Sequence, residues 1–325
     1  MKSQNIISMA GVVLLALQVA PAQGQGKPAE KLPPNVTTFT IKSASPKNPE
    51  IPFYLRCPAR YWANTKGRTY RLLFICPYLN ASGLKQVQGE MGCKPLIAAA
   101  DQRDWFVLAP TFRMDMRQAH DRKTAYYYPE AFSGKAVVDA LDYVAKNYPV
   151  DGRHILIQGL SGGAQFVHRF ALWAPERVVA VAVNSSSWFD IPKENARRVA
   201  WLVTIGDSDP SFANTLTFVD QLRRIGALPI FRTYLGMVHE GDERASRLDV
   251  QFLSFYDEVT RPQLDKPWLT SAPLVFAADK MPFIGDAQGG KYLPNTAANR
   301  AAVPEDERVY LPSEPIARVW GQAEK

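Results

Sequence analysis

The tightest limit on how this chain can fold lies between His154 and Gly163, in the run His-Ile-Leu-Ile-Gln-Gly-Leu-Ser-Gly-Gly. An apolar, β-prone segment enters Gly159-Leu160-Ser161-Gly162-Gly163, and a helix-compatible stretch, Ala164 to Trp173, follows at once. A small-x-Ser-x-small sequence between a strand and a helix describes a sharp elbow that lifts the serine hydroxyl out of a sheet. Side chains two positions before and after the serine would collide with neighbouring backbone, which accounts for glycine at both places. The same turn directs the Gly162 amide and the positive end of the helix toward a site of developing negative charge. Ser161 is therefore the candidate nucleophile and Gly162 the first candidate donor to an oxyanion. A reading of the same residues as turn glycines and a serine helix cap leaves the strand before and the helix after unexplained.

The rest of the chain alternates between the two periodicities. Strand patterns cover Val36 to Ile41, Ile51 to Arg56, Tyr70 to Cys76, Trp105 to Ala109, the run before Ser161, Val178 to Val183, Ala200 to Ile205 and Pro229 to Leu235. Helical patterns cover Leu84 to Asp101, Ala131 to Asn147, the segment after Ser161, Leu216 to Arg224 and Ser246 to Val259. Strands separated by helices imply right-handed crossovers, hence an α/β fold: a doubly wound, mostly parallel sheet with helices on both faces, over residues 36–261. Residues 262–325 are Pro-rich and carry isolated aromatics, among them Trp268, Phe276, Phe283, Tyr292, Tyr310 and Trp320. They predict an irregular C-terminal extension pinned onto the domain by those rings.

Composition narrows the class. The chain has 325 residues, 46% hydrophobic and 21% charged, with a formal charge of +7. Lys and Arg are scattered and form no block interleaved with aromatics, so a nucleic-acid partner is not expected. Met1-Lys2, the apolar Ile6 to Ala20 and Ala20-Pro21-Ala22 have the charged start, short apolar middle and small-residue exit of a signal peptide over residues 1–24, with a flexible segment over 25–35. That stretch is shorter than the roughly 18–20 apolar residues that span a bilayer, so the expectation is a secreted or periplasmic protein without stable membrane insertion. The three cysteines are an odd number: Cys76 reads as a buried thiol, and pairing of Cys57 with Cys93 is left open. No cluster has metal-ligand spacing, so neither a metal nor a cofactor is expected. The oligomeric state is not fixed.

A serine near its free pKa needs an adjacent base held by a third group. Of the four histidines, His154 begins the strand before Ser161 at its far end, His168 sits seven residues along the helix, and His120 lies in the long loop Pro110 to Glu130. His239, in Gly236-Met237-Val238-His239 after the last strand, stands where a doubly wound sheet delivers groups to its carboxyl edge. It is the candidate base. Gly206-Asp207-Ser208-Asp209-Pro210 offers the carboxylate; Asp209 clears the strand end better than Asp207, although an Asp before Pro is also a helix cap, and capping competes with accepting from histidine. The chain order is Ser161, Asp209, His239.

With these residues in place, the chain resembles an α/β-hydrolase. Gly-Leu-Ser-Gly-Gly-Ala-Gln-Phe-Val-His-Arg-Phe is similar to secreted esterases of the polyhydroxybutyrate depolymerase and feruloyl esterase type. The resemblance implies the α/β-hydrolase fold and a second oxyanion donor after the third strand. There, Pro77-Tyr78-Leu79 replaces the family's His-Gly, and matching by position selects the Leu79 amide or, second, that of Tyr78. Aromatics expected at the sheet's carboxyl edge, Trp188, Phe189 and Tyr127 above all, are the candidate substrate pocket. The reading that follows is hydrolysis of a small or polymeric carboxylic ester through an acyl-enzyme. A peptidase on the same fold and a non-catalytic secreted binding protein are the alternatives.

Overall fold

The computed structural model describes residues 31–61, 67–264 and 276–321. In chain order the main elements are β1 (Val36–Lys42), β2 (Glu50–Arg56), β3 (Leu72–Cys76), α1 (Gly83–Val87), α2 (Lys94–Arg103), β4 (Phe106–Pro110), α3 (Gly134–Asn147), β5 (Ile155–Leu160), α4 (Gly162–Trp173), β6 (Val178–Asn184), β7 (Ala200–Gly206), α5 (Phe212–Arg224), β8 (Ile230–Tyr234) and α6 (Glu243–Thr260). They build one eight-stranded sheet in the order β1-β2-β4-β3-β5-β6-β7-β8. The first two pairings are antiparallel and all later ones parallel.

Burial explains the strand sequences. β3 (Leu-Leu-Phe-Ile-Cys) and β6 (Val-Val-Ala-Val-Ala-Val-Asn) are buried at every position, as strands covered on both faces must be. Phe74 meets Phe166 of α4 on one face, ring centroids 6.0 Å apart. On the other, Gln158 and Asn184 reach Asp249 of α6. The parallel strands consequently point their carboxyl ends at a single rim, and the loops after β3, β5, β7 and β8 meet there.

Two expectations are corrected. The helix expected over Leu84 to Asp101 is two helices, α1 and α2. Gly89, Met91 and Gly92 between them have φ of 85°, 60° and 82°, a left-handed backbone no helix can run through. The C-terminal extension expected to be irregular instead holds β9 (Phe283–Asp286), β10 (Lys291–Pro294), α7 (Ala297–Ala302), β11 (Arg308–Leu311) and α8 (Glu314–Gly321). Its strands form an antiparallel sheet ordered β10-β9-β11. Four-residue strands between prolines are too short for alternation to show in sequence. Trp320 of α8 is fully buried and donates its indole N–H to the Phe231 carbonyl of β8 at 2.7 Å, an anchoring by an aromatic side chain. Trp268 lies outside the described residues, as does the segment 1–24.

Cys57, Cys76 and Cys93 are all free and buried. Burial pushes the Cys57 and Cys93 thiols up to about 12, so neither is a thiolate at neutral pH. No helix among the described residues is long and apolar enough to cross a membrane.

Candidate active site

Ser161 joins β5 to α4 with φ 53° and ψ −116°, a backbone conformation that L-residues adopt only under constraint from their surroundings. The constraint is visible in the flanking glycines. A Cβ on Gly163 would lie 2.0 Å from the Cys76 carbonyl oxygen, and one on Gly159 would lie 2.4 Å from the Gly163 carbonyl. The Ser161 amide donates to the Asn184 carbonyl at 2.9 Å, which ties the turn to the end of β6.

Three loops converge on this turn. The Ser161 hydroxyl donates to His239 Nε2 at 2.8 Å, and His239 Nδ1 donates to Asp209 Oδ2, also at 2.8 Å. With the Nδ1 proton held by a carboxylate, Nε2 carries the lone pair that faces the serine. The Asp209 carboxylate is fully buried while the His239 side chain is 33% exposed, so the imidazole presents one edge to solvent.

The capping expected of Asp209 is not realised, since the N-cap of α5 is Ser211, but the carboxylate still holds two donors. Oδ1 accepts from the Ser211 amide at the start of α5 while Oδ2 serves His239. Asp207 instead accepts from the Gly236 amide at 2.8 Å and so braces the loop that carries His239. The other histidines are elsewhere. His154 pairs with Asp151 at the amino end of β5, and exposed His120 lies edge-on to Trp188. His168 is buried against the Ala164 carbonyl, and burial holds its pKa well below the ordinary value.

Around Ser161 lies a cleft of about 530 Å³ lined by Tyr78, Leu79, Met91, Gly92, Leu160, His239, Glu240 and Gly241. Leu79 has φ 48°, so the loop after β3 turns its backbone sharply at the cleft. Behind it, the Tyr126 hydroxyl donates to the Pro77 carbonyl at 3.2 Å. A Cβ on Gly162 would meet the Tyr126 hydroxyl at 2.9 Å and Tyr127 Cε1 at 2.8 Å. Two phenols thus fill the space where most residues after an elbow serine would put a side chain. Tyr126 belongs to the run Tyr126-Tyr127-Tyr128 that the sequence reading expects at the sheet's carboxyl edge, and its position against Gly162 is a finding of the structure.

The expected aromatic pocket is corrected. Phe189 stacks on Phe218 at 4.3 Å and helps line a separate hollow with Arg169 and Asp190. Trp188 is exposed beside His120, and neither residue lines the Ser161 cleft. Asp190 is bonded to Arg169 at 2.8 Å and to Arg122 at 2.7 Å, and these pairs draw the loop after β6 along α4, away from the serine. Tyr127 packs behind Gly162 and does not line the open cleft.

A buried polar group under the elbow was also illegible. Asn184 and Gln158 both donate to Asp249 Oδ2, at 2.7 and 3.3 Å, and Thr204 donates to Asn184 Oδ1 at 2.7 Å. Burial pushes the Asp249 carboxyl up to about 7, against the pull of those two amides.

No protein-family model and no curated protein matches the sequence. Solved structures do. A ferulic acid esterase aligns over 69% of this chain and 98% of its own, at 20% identity and TM-score 0.54. A ferulic acid esterase of the CE1 class from the anaerobic fungus Anaeromyces mucronatus aligns over 74% and 97%, at 11% and 0.52. An S-formylglutathione hydrolase from Agrobacterium tumefaciens aligns over 69% and 94%, at 13% and 0.51. At such identities the likeness is one of architecture, and with the mostly parallel eight-stranded sheet and the serine elbow after β5 it shows that this chain has the α/β-hydrolase fold.

Proposed function

We propose that this protein is a serine hydrolase of carboxylic esters working through an acyl-enzyme. The observation that carries the reading is the unbroken chain of 2.8 Å contacts from the Ser161 hydroxyl through His239 to buried Asp209, at the edge of an open cleft. Ser161 Oγ attacks the ester carbonyl while His239 Nε2 takes its proton, and Asp209 stabilises the imidazolium that results. The tetrahedral oxyanion forms at the Gly162 amide and the start of α4, with the Leu79 amide as second donor and Tyr78 in the same loop. His239 then protonates the departing alcohol, and water, activated by the same imidazole, releases the acid. Tyr78, Leu79, Met91 and Leu160 make the cleft wall largely apolar, which suits an uncharged acyl group. The names of the similar structures, esterases and an S-formylglutathione hydrolase, support acyl transfer from oxygen or sulfur.

For the chain as a whole, residues 36–261 are read as the catalytic domain, with 262–325 packed on it. The charged start and apolar middle of residues 1–24 support export to a secreted or periplasmic location. The test is covalent: a fluorophosphonate should add one label to the wild type, mapped to Ser161, and none to Ser161→Ala. An unlabelled serine in folded protein overturns the proposal. Cleavage of peptide anilides in preference to p-nitrophenyl acetate would move it to the peptidase reading.

A further inference from the structure

The Ser161 cleft does not end at the catalytic residues. A second hollow of about 590 Å³ opens between α2 and α6, with Lys94, Pro95, Ala98 and Ser246 in its walls. It shares Gly92 and Gly241 with the first, so the two are lobes of one groove. At the crossing, the Ser246 hydroxyl donates to the Gly92 carbonyl at 3.1 Å and closes the floor. A Cβ at Gly92 would meet no described atom within 4 Å and one at Gly241 would meet Leu160 Cδ2 at 3.2 Å, and as glycines neither puts a side chain between the lobes. Each lobe by itself has the size that accommodates a small ligand, about 300–1,000 Å³. A simple ester needs only the first.

The direction of the groove says which half of the substrate enters it. In the proposed reaction the Ser161 Oγ–acyl bond forms as the acyl–alkoxy bond breaks, and the proton taken from Ser161 passes from His239 Nε2 to the alcohol oxygen. The alcohol therefore departs on the His239 side. Glu240 and Gly241, which directly follow His239, form the wall that leads to the second lobe. Charge narrows the class further. Glu240 and Glu243 are exposed along this path, Asp242 is paired with Arg244 at 2.6 Å, and Lys94 is the cation facing them. An anionic chain would meet two carboxylates against one ammonium.

Resting on the esterase reading, we propose that the lobe between α2 and α6 binds the alcohol part of the substrate, and that this part is an extended, uncharged chain. The experiment compares butyrate esters of methanol and of tetra(ethylene glycol) monomethyl ether, with methyl octanoate as the long-acyl control, in wild type and Ala98→Trp. Ala98 is exposed on α2, and the ratio of kcat/KM between two esters is independent of the fraction of folded enzyme. Lys94→Trp, on the same wall, replaces it where Ala98→Trp does not fold. The expected result is a fall of about tenfold in the glycol-to-methyl butyrate ratio, carried by KM, with the octanoate-to-butyrate ratio held within about twofold. An unchanged glycol ratio, or a loss confined to methyl octanoate, overturns the groove assignment and leaves the esterase reading standing. A wild type that hydrolyses none of the three and takes no fluorophosphonate label overturns both.

Discussion

Beside each end of β5 stands a histidine bonded through Nδ1 to an aspartate, His154 next to its start and His239, from the loop after β8, next to Ser161. At the amino end His154 sits 3.0 Å from Asp151; at the carboxyl end His239 sits 2.8 Å from Asp209. The pairs differ in their surroundings. Asp151 also accepts the Arg153 and His154 amides, and His154 is 7% exposed beside buried Arg71, whose guanidinium donates to the His154 carbonyl at 2.6 Å. Arg71 in turn is bonded to Asp257, which also accepts from the Trp105 indole at 2.7 Å. Asp151, His154, Arg71 and Asp257 thus bond to one another within the amino edge. At the carboxyl edge the pair ends on a serine hydroxyl at a cleft, which is what separates a site from a staple.

Replacing one member on each side breaks or sharpens that contrast. The largest effect is expected for Asp209→Asn, a fall of about 10⁴-fold in kcat toward a p-nitrophenyl ester with KM little changed, since the imidazole loses its tautomer. Asp151→Asn should leave kcat within about twofold and lower the melting temperature; equal losses of activity in both variants would erase the distinction. Next comes Asp257→Asn, which leaves Arg71 buried and uncompensated and should lower unfolding free energy by about 3–5 kcal/mol in urea titrations. Its kcat per folded molecule should not move, and a fall there would connect the amino edge to the chemistry.

The smallest effect concerns Asp249, beneath the carboxyl edge. Its folded pKa, about 7, lies above the ordinary 3.8, so the fold favours the protonated form. Stability is full below about pH 4, declines as pH rises, and levels off above about 7, a loss on the order of 2 kcal/mol between pH 5 and pH 8. Asp249→Asn should flatten that slope in urea midpoints measured at the two values. A slope equal to wild type would assign the pH dependence to other groups.

What the sequence carried was local. The elbow is a contiguous pattern whose glycines are forced by contacts within a few residues of Ser161 and by the neighbouring strand, so it was visible along with the β/α alternation. The nearness of Asp209 and His239 to Ser161 was also legible, because parallel strands deliver their following loops to one rim. Where a loop goes beyond that rim was not. Trp188 and Phe189 leave the correct end of β6, yet Asp190 is captured by Arg169, 21 positions earlier, and the aromatics follow it away from the cleft. The break between α1 and α2 falls at Gly89, Met91 and Gly92, where the two glycines were the available signal and the left-handed backbone of Met91 between them was not. Asp209 was judged as one partner when a carboxylate has two oxygens, each able to hold a different donor.

The indole of Trp320 has a reach beyond its own bond. β8 is the last strand of the large sheet, and such a border leaves carbonyl and amide groups open to pairing with any passing extended chain, including another copy. Trp320 occupies the Phe231 carbonyl, while Arg223 on neighbouring α5 grips the Asp306 and Arg308 carbonyls at 2.7 and 3.2 Å. The tail thereby works as a hem, finishing a margin that would otherwise be a template for uncontrolled self-assembly.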